Sequence, residues 1–441
     1  MRLSDLAAGP TLVMGFGREG RALERAVLAR QPGADVHVWC DAPPDSPPAR
    51  WPLLANAAEV RRVAPARVLR SPGVRLDHPA IAAAGAPATP VTCITSLWFG
   101  ERPEACVVAI TGSKGKSTTA ALTAHLLASA GHRVALGGNI GVPMLDLIDR
   151  VAEWFVVELS SYQLADLQGH ATLGGFTRLF PEHQDWHGGV DAYYAAKLRL
   201  VELLDGRPLW FNAADPVLAD AVAGVPGARP VNVPGTLRAV DGSLWRGDER
   251  VMTASDWALA GTHNLDNAAL ALALAEAAGG RLAGPAAALA AFTPLPHRLQ
   301  PVAGPAGARW INDSISTSPQ ATLAALRSCA GRPVLIVGGL ERGSDWRDVI
   351  ELAGRWGLSG LVAMPDNGGR VAREFEAAGV IERRRVRCVD TMEAAVAAAH
   401  ALCPDGETVL LSPGAPSFPG FRDFEERGRC FAAAAARLVD A

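Results

Sequence analysis

The strongest indication of the fold is the segment Val107-Val-Ala-Ile-Thr-Gly-Ser-Lys-Gly-Lys-Ser-Thr-Thr119. An apolar, β-branched run leads into a glycine-rich turn, and the turn leads into Lys-Ser-Thr and the Ala/Leu-rich start of a helix. Glycines allow backbone N–H groups to approach phosphate oxygens, and the N-terminus of a helix favours negative charge. The order strand, turn, helix therefore predicts a phosphate-binding loop rather than a chance turn rich in glycine and lysine.

The loop departs from the common G-x-x-x-x-G-K-[ST] pattern, because Ile110 stands where that pattern has its first glycine. The shorter form keeps a lysine for the β- and γ-phosphates and hydroxyls for Mg²⁺. We assign the first role to Lys116 and the second to Ser117 or Thr118. The residues predicted to bind the nucleotide phosphates are Gly112, Ser113, Lys114, Gly115, Lys116, Ser117 and Thr118.

Composition limits the classes of function. The chain has 441 residues, 49% of them hydrophobic, and a net charge of −3, so several buried cores are expected and no overall field attracts nucleic acid or acidic membranes. The 7 cysteines are far apart and form no C-x-x-C pair, which indicates reduced thiols. No signal peptide or membrane span is indicated. We expect a cytoplasmic monomer that binds neither nucleic acid nor a membrane.

The first ~90 residues alternate short apolar runs with helical stretches, which indicates β/α units. A predicted strand at Thr11–Met14 is followed by Gly15-Phe-Gly-Arg-Glu-Gly20, a helix through Leu28, and a second predicted strand, Val36–Trp39, close to Asp41. A G-x-G-x-x-G turn with an acidic residue about 20 positions further on fits the dinucleotide fingerprint. This signal is weak by itself, and NAD, another nucleotide, or a tight turn without a ligand all remain open.

Proline-rich stretches at 78–90 and 294–296 divide the chain into predicted domains at 1–92, 93–296 and 297–441. Each domain alternates predicted strands with helices, so the fold class is α/β. In the second domain, an apolar run at 154–157 predicts a strand that delivers Glu158 to the carboxyl edge of the sheet, near the phosphate loop. A surface glutamate at a strand end is the alternative.

The third domain has predicted strands at Arg309–Asn312, at 333–338 and at Thr408–Leu411, and a helical tail at 424–439. Separated motifs also follow one another along the chain. They are the phosphate loop, Gly138-Asn-Ile-Gly141, Glu158-Leu-Ser-Ser-Tyr-Gln-Leu164, Pro181-Glu-His-Gln-Asp-Trp-His187, Tyr194-Ala-Ala-Lys197, Gly261-Thr-His-Asn-Leu-Asp-Asn267, Pro296-His-Arg298, Asn312-Asp-Ser314 and Ser412-Pro-Gly-Ala-Pro-Ser417.

This series of motifs resembles the Mur ligases, the ATP-dependent enzymes that add amino acids to peptidoglycan precursors. The resemblance covers essentially the whole chain. The order and spacing are most similar to the MurD type, which adds glutamate to UDP-N-acetylmuramoyl-L-alanine. Such a series is far more specific than either glycine-rich loop alone.

The resemblance implies a Rossmann-like first domain that holds UDP rather than NAD, a central P-loop ATPase domain, and a Rossmann-like third domain that presents the amino acid. Closure of the third domain would exclude water from the site. The implied substrate-binding residues of the first two domains are Gly15, Gly17, Gly20, Asp41, Ser71, Asn139 and Ser160. The implied contacts to ATP outside the loop are Asn264, Asn267, Arg298 and Asp313.

The resemblance also implies a reaction in which the substrate carboxylate attacks the γ-phosphate of ATP, and the glutamate amine then displaces phosphate from the acyl phosphate. Such chemistry depends on positioning and charge neutralisation. Lys197 matches a lysine that is carbamylated in this family, although the sequence alone would make it a solvated helix residue. The implied catalytic residues are Lys116, Glu158, His183 and Lys197, and the implied ligands of two Mg²⁺ ions are Ser117, Glu158, His183 and Lys197.

The predicted glutamate pocket departs from the MurD pattern. After Asn312-Asp-Ser314, D-glutamate enzymes usually have Lys-Ala-Thr, and this chain has Ile315-Ser-Thr317. Arg342 stands where the family usually has a glutamate-binding lysine, and the two side chains are not interchangeable. Ser417 and Phe424 still match the positions that hold the far carboxylate. The implied pocket residues are therefore Thr317, Arg342, Ser417 and Phe424.

Two interpretations of this pocket remain open, a drifted D-glutamate site and a site rebuilt for L-glutamate, and we favour the second. Three other classes of protein fit the sequence less well. A nicotinamide oxidoreductase explains no motif after residue 100, and a folate polyglutamylation ligase does not explain Ser71-Pro-Gly73. A non-catalytic subunit is disfavoured by the intact Lys116, Glu158, His183 and Lys197.

Overall fold

A computed structural model of the chain describes residues 1–41, 44, 47–257, 259, 263–329 and 331–439. The chain forms two compact units, Met1–Thr253 with Asn264–Phe292, and Ala254–His263 with Thr293–Ala441. Parallel sheets alternate with helices in both, which confirms the predicted α/β fold. The three predicted domains stay a prediction: the boundary at 296 lies close to the limit between the units, and the boundary at 92 lies within a strand.

The N-terminal part of the first unit is a five-stranded parallel sheet in the order β3-β2-β1-β4-β5. The strand order reverses beside β1, so the glycine-rich turn after β1 lies at the point where open α/β sheets form crevices. Its elements are β1 (Thr11–Met14), α1 (Arg18–Arg30), β2 (Val36–Trp39), β3 (Leu53–Leu54), α2 (Ala57–Val63), β4 (Arg67–Arg70), α3 (Pro79–Ala83), β5 (Val91–Cys93) and α4 (Thr95–Glu101).

The second sheet of this unit is six-stranded and parallel, in the order β11-β10-β9-β6-β8-β7. Its strands are β6 (Val107–Thr111), β7 (Val134–Gly138), β8 (Trp154–Glu158), β9 (Leu173–Phe176), β10 (Leu209–Asn212) and β11 (Ala228–Val231). The helices are α5 (Lys116–Ser129), α6 (Ser161–Leu164), α7 (Gln184–His187), α8 (Val190–Leu204), α9 (Pro216–Ala221), α10 (His263–Gly279) and α11 (Pro285–Ala290). A small antiparallel sheet contains β12 (Leu237–Val240), β13 (Ser243–Arg246) and β14 (Glu249–Thr253).

The second unit is built on a six-stranded sheet in the order β15-β16-β20-β17-β18-β19, in which only the edge strand β15 is antiparallel. Its strands are β15 (Gln300–Val302), β16 (Arg309–Asn312), β17 (Val334–Gly339), β18 (Gly360–Asp366), β19 (Val386–Cys388) and β20 (Thr408–Leu411). Its helices are α12 (Pro319–Ser328), α13 (Arg347–Trp356), α14 (Gly368–Ala377), α15 (Met392–Leu402) and α16 (Phe424–Arg437).

The sheet centres form the cores because parallel strands are covered on both faces. Every residue of β1, β6 and β20 is buried. All 7 cysteines are described and none forms a disulfide, in agreement with the sequence. Within the described ranges, no helix combines the length and the apolar character that a membrane crossing requires.

Candidate active site

The predicted phosphate loop connects the buried strand β6 to the N-terminus of α5. Gly115 caps this helix with φ +91°, and a Cβ at Gly115 would collide with Asn267 Oδ1. Gly112 has φ +144°, and a Cβ there would collide with Thr177 Oγ1. Both glycines are therefore needed for a loop that is packed from behind and presents the N-terminus of a 14-residue helix.

Ser113 holds the loop in place. Its hydroxyl donates to Phe180 O at 2.8 Å and is hydrogen bonded with Tyr193 Oη at 2.8 Å. Its backbone N–H donates to Arg178 O at 2.7 Å. Thr177 Oγ1 donates to Lys114 O at 2.6 Å. The donors of Ser113 are thus occupied by the protein, so Ser113 shapes the loop in this structure.

Three lysines meet at this loop, and they are the only lysines among the 42 basic Lys and Arg residues of the chain. Lys116 Nζ donates to Ser113 O at 2.9 Å, and Lys197 Nζ donates to Gly112 O at 2.6 Å. Lys114 forms an ion pair of 2.8 Å with Glu182. Every other basic Lys or Arg position of the chain is an arginine, so the three lysines could have indicated this site from the sequence. Comparison of motifs alone did not use that signal.

Lys197 lies in α8 and is not the solvated residue that its sequence alone predicts, because only 1% of it is exposed. Its ammonium nitrogen lies 5.0 Å from the centre of the Tyr193 ring. Burial, and then the neighbouring charge of Lys116, hold the pKa of Lys197 well below its ordinary value. The neutral amine form of Lys197 therefore exists at a lower pH than it does in an ordinary lysine.

Glu158 ends β8, and the pairing of β8 with β6 sets it directly beside Ile110 at the start of the phosphate loop. The alternative of a surface glutamate is wrong, because only 1% of Glu158 is exposed. Asn139 Nδ2 donates to Glu158 Oε1 at 2.8 Å, whereas Glu158 Oε2 is buried and has no hydrogen-bond partner in the described chain. Asn139, a predicted substrate contact, therefore orients one oxygen and leaves the other available to a cation.

His183 follows the loop that carries Glu182 and has φ +52°, a left-handed conformation that is uncommon outside glycine. Its ring lies 4.9 Å from the ring of Tyr162. Burial holds the pKa of His183 below its ordinary value, and the nearby lysines add to the effect. His187, which sequence reasoning did not single out, is hydrogen bonded with Ser161 Oγ at 3.0 Å, and burial lowers its pKa to about 4. Both imidazoles are neutral at physiological pH.

The predicted adenine contacts belong to the first turns of α10. Asn264 and Asn267 are buried, and Asn267 Nδ2 donates to Asn264 Oδ1 at 3.1 Å. Thr119 Oγ1 donates to Asn267 Oδ1 at 3.4 Å, so this pair packs against the helix of the phosphate loop. The motif residues Gly261 and Thr262 lie outside the described residues.

The predicted UDP pocket is formed by the loops that follow β1, β2 and β4. Gly15 has φ +81°, and its carbonyl accepts a hydrogen bond of 2.9 Å from Ser71 Oγ. A Cβ at Gly20 would lie 2.9 Å from Gly15 O, and Gly17 is the exposed N-cap of α1. Asp41 Oδ1 accepts from Trp39 Nε1 at 3.1 Å and is 2.9 Å from His78 Nε2.

Ser160 lies at the start of α6, where its hydroxyl and the side chain of Gln163 form a capping box. Gln163 Nε2 also donates to Glu19 Oε1 at 2.8 Å. Glu19 is the second residue of α1, directly after the glycine-rich turn, and burial raises its pKa to about 7. Sequence reasoning missed this partly buried link between α6 and α1, because it joins residues 144 positions apart.

In the second unit, the predicted residues gather where β16, β17 and β20 end. Asp313 is buried. Its carboxylate accepts hydrogen bonds from Leu299 N at 3.1 Å, from Ser412 Oγ at 3.0 Å and from Ser316 Oγ. Burial raises the pKa of Asp313 to about 6. The predicted glutamate-pocket residues differ in exposure: Ser417 is buried, Phe424 is half-buried, and Thr317 and Arg342 are exposed. Arg298, a predicted nucleotide contact, is also half-buried.

Comparison with known proteins assigns the chain to an enzyme class. Residues 110–275 match the Mur ligase middle domain, and residues 297–414 match the glutamate ligase domain of the Mur ligases. The chain belongs to the Mur ligase family and is an ATP-dependent ligase. Enzymes of this family use ATP and Mg²⁺.

Particular relatives narrow the comparison. The UDP-N-acetylmuramoyl-L-alanine–L-glutamate ligase of Xanthomonas axonopodis pv. citri is 40% identical and is matched over 98% of this chain and 96% of its own length. The enzyme of the same name from a Micromonospora species is 40% identical over 98% of each chain. The crystal structure of the UDP-N-acetylmuramate–alanine ligase MurC from Thermotoga maritima shares the fold, with a TM-score of 0.61, 16% identity and 98% coverage of both chains.

Proposed function

We propose that this chain joins L-glutamate to UDP-N-acetylmuramoyl-L-alanine, coupled to the conversion of ATP to ADP and phosphate. One observation carries the proposal: relatives that are 37–40% identical over 98% of the chain are named UDP-N-acetylmuramoyl-L-alanine–L-glutamate ligases. The D-glutamate-adding enzyme of the same type is the second candidate, because the two activities differ only in how the amino acid is held.

The amino-acid residues support the L enantiomer. Inversion at the α-carbon exchanges two substituents, so the α-carboxylate and the amine cannot both keep their places, and the cations that bind carboxylates must move. Ile315 removes one cation, and Arg342 provides a planar, bidentate donor in place of lysine. The Arg342 guanidinium is exposed and makes no hydrogen bond or ion pair with the described residues, so it is available to a carboxylate.

With UDP-N-acetylmuramoyl-L-alanine and MgATP present, we expect phosphate release with L-glutamate to exceed release with D-glutamate by on the order of 100-fold in kcat/KM, because hydrogen-bonded sites reject ligands that leave their polar groups unpaired. The measurement is product formation with each enantiomer. A preference for D-glutamate would establish the second candidate. Absence of turnover with both would remove the proposed substrates and leave the family assignment in place.

In the proposed reaction, the alanyl carboxylate attacks the γ-phosphorus of ATP, the bond to the β-phosphate oxygen breaks, and ADP leaves. The neutral amine of glutamate then attacks the acyl carbon, and phosphate departs with its electron pair. The nitrogen loses one proton to solvent as the amide forms. Lys116 would hold negative charge on the transferring phosphoryl group, and the N–H groups at the start of α5 would bind phosphate oxygens. Asn264 and Asn267 would contact adenine, and Arg298 and Asp313 would contact phosphate and ribose.

The residues at Glu158 fit a magnesium ion. Glu158 Oε2 is buried without a hydrogen-bond partner in the described chain, and such an oxygen is unfavourable unless a cation or a proton is bound. Glu158, the Ser117 hydroxyl and neutral His183 would hold the metal, which prefers oxygen-rich octahedral coordination. When bound, Mg²⁺ supplies positive charge that neutralises the phosphate oxygens.

We propose that Lys197 is carbamylated. The neutral Nζ would add to CO₂, releasing one proton and forming an N–C bond, so that a buried amine becomes an anionic oxygen ligand for a second Mg²⁺. The lowered pKa of Lys197 supports this step, because only the neutral amine is nucleophilic. The cluster of positive charge from Lys114 and Lys116 favours the anionic product.

Replacing Glu158 with glutamine should lower kcat by about 100-fold and raise the Mg²⁺ concentration needed for half-maximal rate. Glutamine keeps the shape and the acceptor that faces Asn139 but removes the negative charge. A titration of rate against Mg²⁺ measures the effect. The matched control is Glu153→Gln, an exposed residue just before β8 whose side chain accepts from Arg133 N at 2.8 Å. An unchanged Mg²⁺ dependence in Glu158→Gln would contradict the metal role.

The remaining assignments are proposals of the same kind. Gly15, Gly17, Gly20, Asp41 and Ser71 would bind the UDP moiety, and Asn139 and Ser160 would face the muramoyl-alanine arm. The glutamate would contact Thr317, Arg342, Ser417 and Phe424. We also propose that the enzyme acts as a cytoplasmic monomer on these small-molecule substrates.

A further inference from the structure

Arg427 is a buried arginine that has no acidic partner among the described residues. It lies in the first turns of α16, and only 1% of it is exposed. No described carboxylate is hydrogen bonded or ion paired with it, and every contact of its guanidinium is to a neutral oxygen. Burial alone lowers the pKa of Arg427 to about 10, so the group remains charged at physiological pH. A buried, uncompensated charge is unfavourable for folding and calls for another explanation.

The guanidinium joins three loops of the second unit. Nη2 donates to Ser314 O at 2.8 Å and Nε donates to Ser314 Oγ at 3.0 Å, both in the loop after β16. Nη1 donates to Ala415 O at 3.0 Å, in the loop after β20, and approaches Gly338 O, near the end of β17, at 3.4 Å. The planar fork of arginine is suited to such a junction, whereas the single ammonium of lysine is not.

These loops carry the residues proposed to hold glutamate. Ser314 precedes Ile315, Ala415 lies two positions before Ser417, and Gly338 begins the segment that reaches Arg342. Ser314 Oγ also donates to Phe424 O at 2.8 Å, which ties the start of α16 to the same junction. The N-terminus of this 14-residue helix adds a second source of positive potential at Phe424.

We infer that Arg427 is a positioning residue for the amino-acid substrate, an inference that rests on the proposed function. Arg427 holds these three loops together and supplies buried positive charge to the pocket. The attacking form of glutamate has a neutral amine, so it carries two carboxylates and no positive charge. Ile315 stands where D-glutamate enzymes usually have a lysine, so this pocket has one cation fewer. The positive charge of Arg427 offsets one of the two negative charges of the dianion from behind the loops without touching it.

The experiment compares Arg427→Gln and Arg427→Lys with Arg429→Gln in the full-length enzyme. Arg429 lies on the same helix and its side chain is 54% exposed. Among the described residues it forms only a long ion pair of 3.9 Å with Glu425. For Arg427→Gln we expect the KM for glutamate to rise by about 10- to 100-fold while the KM values for ATP and the UDP substrate stay close to wild type. Arg427→Lys, which keeps the charge, should be intermediate, and Arg429→Gln should behave as wild type.

A second readout separates charge from structure. Turnover of glutamine, whose side chain is neutral, is measured beside that of glutamate, and the ratio of kcat/KM values is compared. Arg427→Gln should reduce the preference for glutamate over glutamine. A purely structural role would lower both rates equally, and that result, like an unchanged KM for glutamate, would overturn the inference.

If Arg427→Gln does not fold, Ser314→Ala replaces it, because this change removes one acceptor of the guanidinium and keeps the charge. A several-fold rise in the glutamate KM alone would support the positioning role, and an unchanged glutamate KM would overturn it. Absence of glutamate turnover in the wild-type enzyme would instead refute the proposed function, and the role of Arg427 toward glutamate with it.

Discussion

Replacing Lys116 with alanine should reduce the rate of phosphate release by about 10³-fold or more, because removal of a single preorganised charge from a phosphoryl-transfer site has effects of this size. Lys116 is the first residue of α5, so its position depends on the turn at Gly115 and not on flexible neighbours. The ammonium donates to Ser113 O at 2.9 Å, within the loop that would surround the phosphates. The measurement is steady-state phosphate release with all three substrates present.

The control for Lys116→Ala is Ser129→Ala, which changes an exposed residue at the opposite end of the same helix, about 20 Å away. Both variants should unfold at the wild-type temperature, because neither change leaves a cavity in the core. Lys116→Arg keeps the charge but places a larger fork in a tightly packed loop, so it should recover only part of the rate. A loss below tenfold in Lys116→Ala would exclude Lys116 as the group that stabilises the transferred phosphoryl.

Replacing Lys197 with methionine should reduce the ligation rate by about 10²- to 10³-fold, since the change removes the proposed carbamate without changing the apolar volume much. Lys197→Arg should be equally inactive, because a guanidinium is always charged and cannot add CO₂. These two variants separate the loss of positive charge from the loss of the neutral amine. Steady-state kinetics with added bicarbonate measures the effect.

Carbamylation of Lys197 can be observed directly by ¹³C NMR after equilibration with ¹³CO₂. With only three lysines in the chain, a protein carbamate signal has few sources. The signal should persist in Lys114→Arg and disappear in Lys197→Met and Lys197→Arg. An active wild-type enzyme without this signal would contradict the carbamate.

The pH dependence has a defined sign. The folded pKa of Lys197 lies below its unfolded value, so the unfolded chain binds more protons between the two values. The unmodified folded protein therefore loses stability as pH falls from the unfolded pKa toward the folded pKa. Carbamate is lost when the amine binds a proton, so activity should fall as pH drops through the folded pKa.

Much of the fold could be predicted from local sequence patterns. Strands at Thr11–Met14, Val36–Trp39, Arg309–Asn312 and Thr408–Leu411 have the bounds that the sequence indicates. The phosphate loop was equally predictable, because an apolar strand, positive-φ glycines and a helix start are contiguous and each requirement is local. The series of motifs then identified the family.

The surroundings of these residues depend on contacts between segments that are far apart in the chain. Glu158 is buried beside the loop because β8 pairs with β6 in the register Ile110↔Glu158, and an end of a strand does not reveal its neighbour. The amine of the buried Lys197 donates a hydrogen bond to Gly112 O, and these two residues are 85 positions apart in the sequence. The periodicity of α8 does not indicate that contact. From the sequence, Arg427 would be an ordinary arginine on a helix surface. Its hydrogen-bond partner Ser314 is 113 positions earlier in the sequence.

The physical difference is the range of the interactions. Strand, turn and cap preferences are set by a residue and its near neighbours, so the elements, the phosphate loop and the class of enzyme could be predicted from local patterns and motifs. The lowered pKa of Lys197 and the burial of the Glu158 carboxylate and the Arg427 guanidinium, which have no opposite charge bonded to them in the described parts of the chain, come from contacts between distant segments. Those quantities exist only once the sheets and helices are packed.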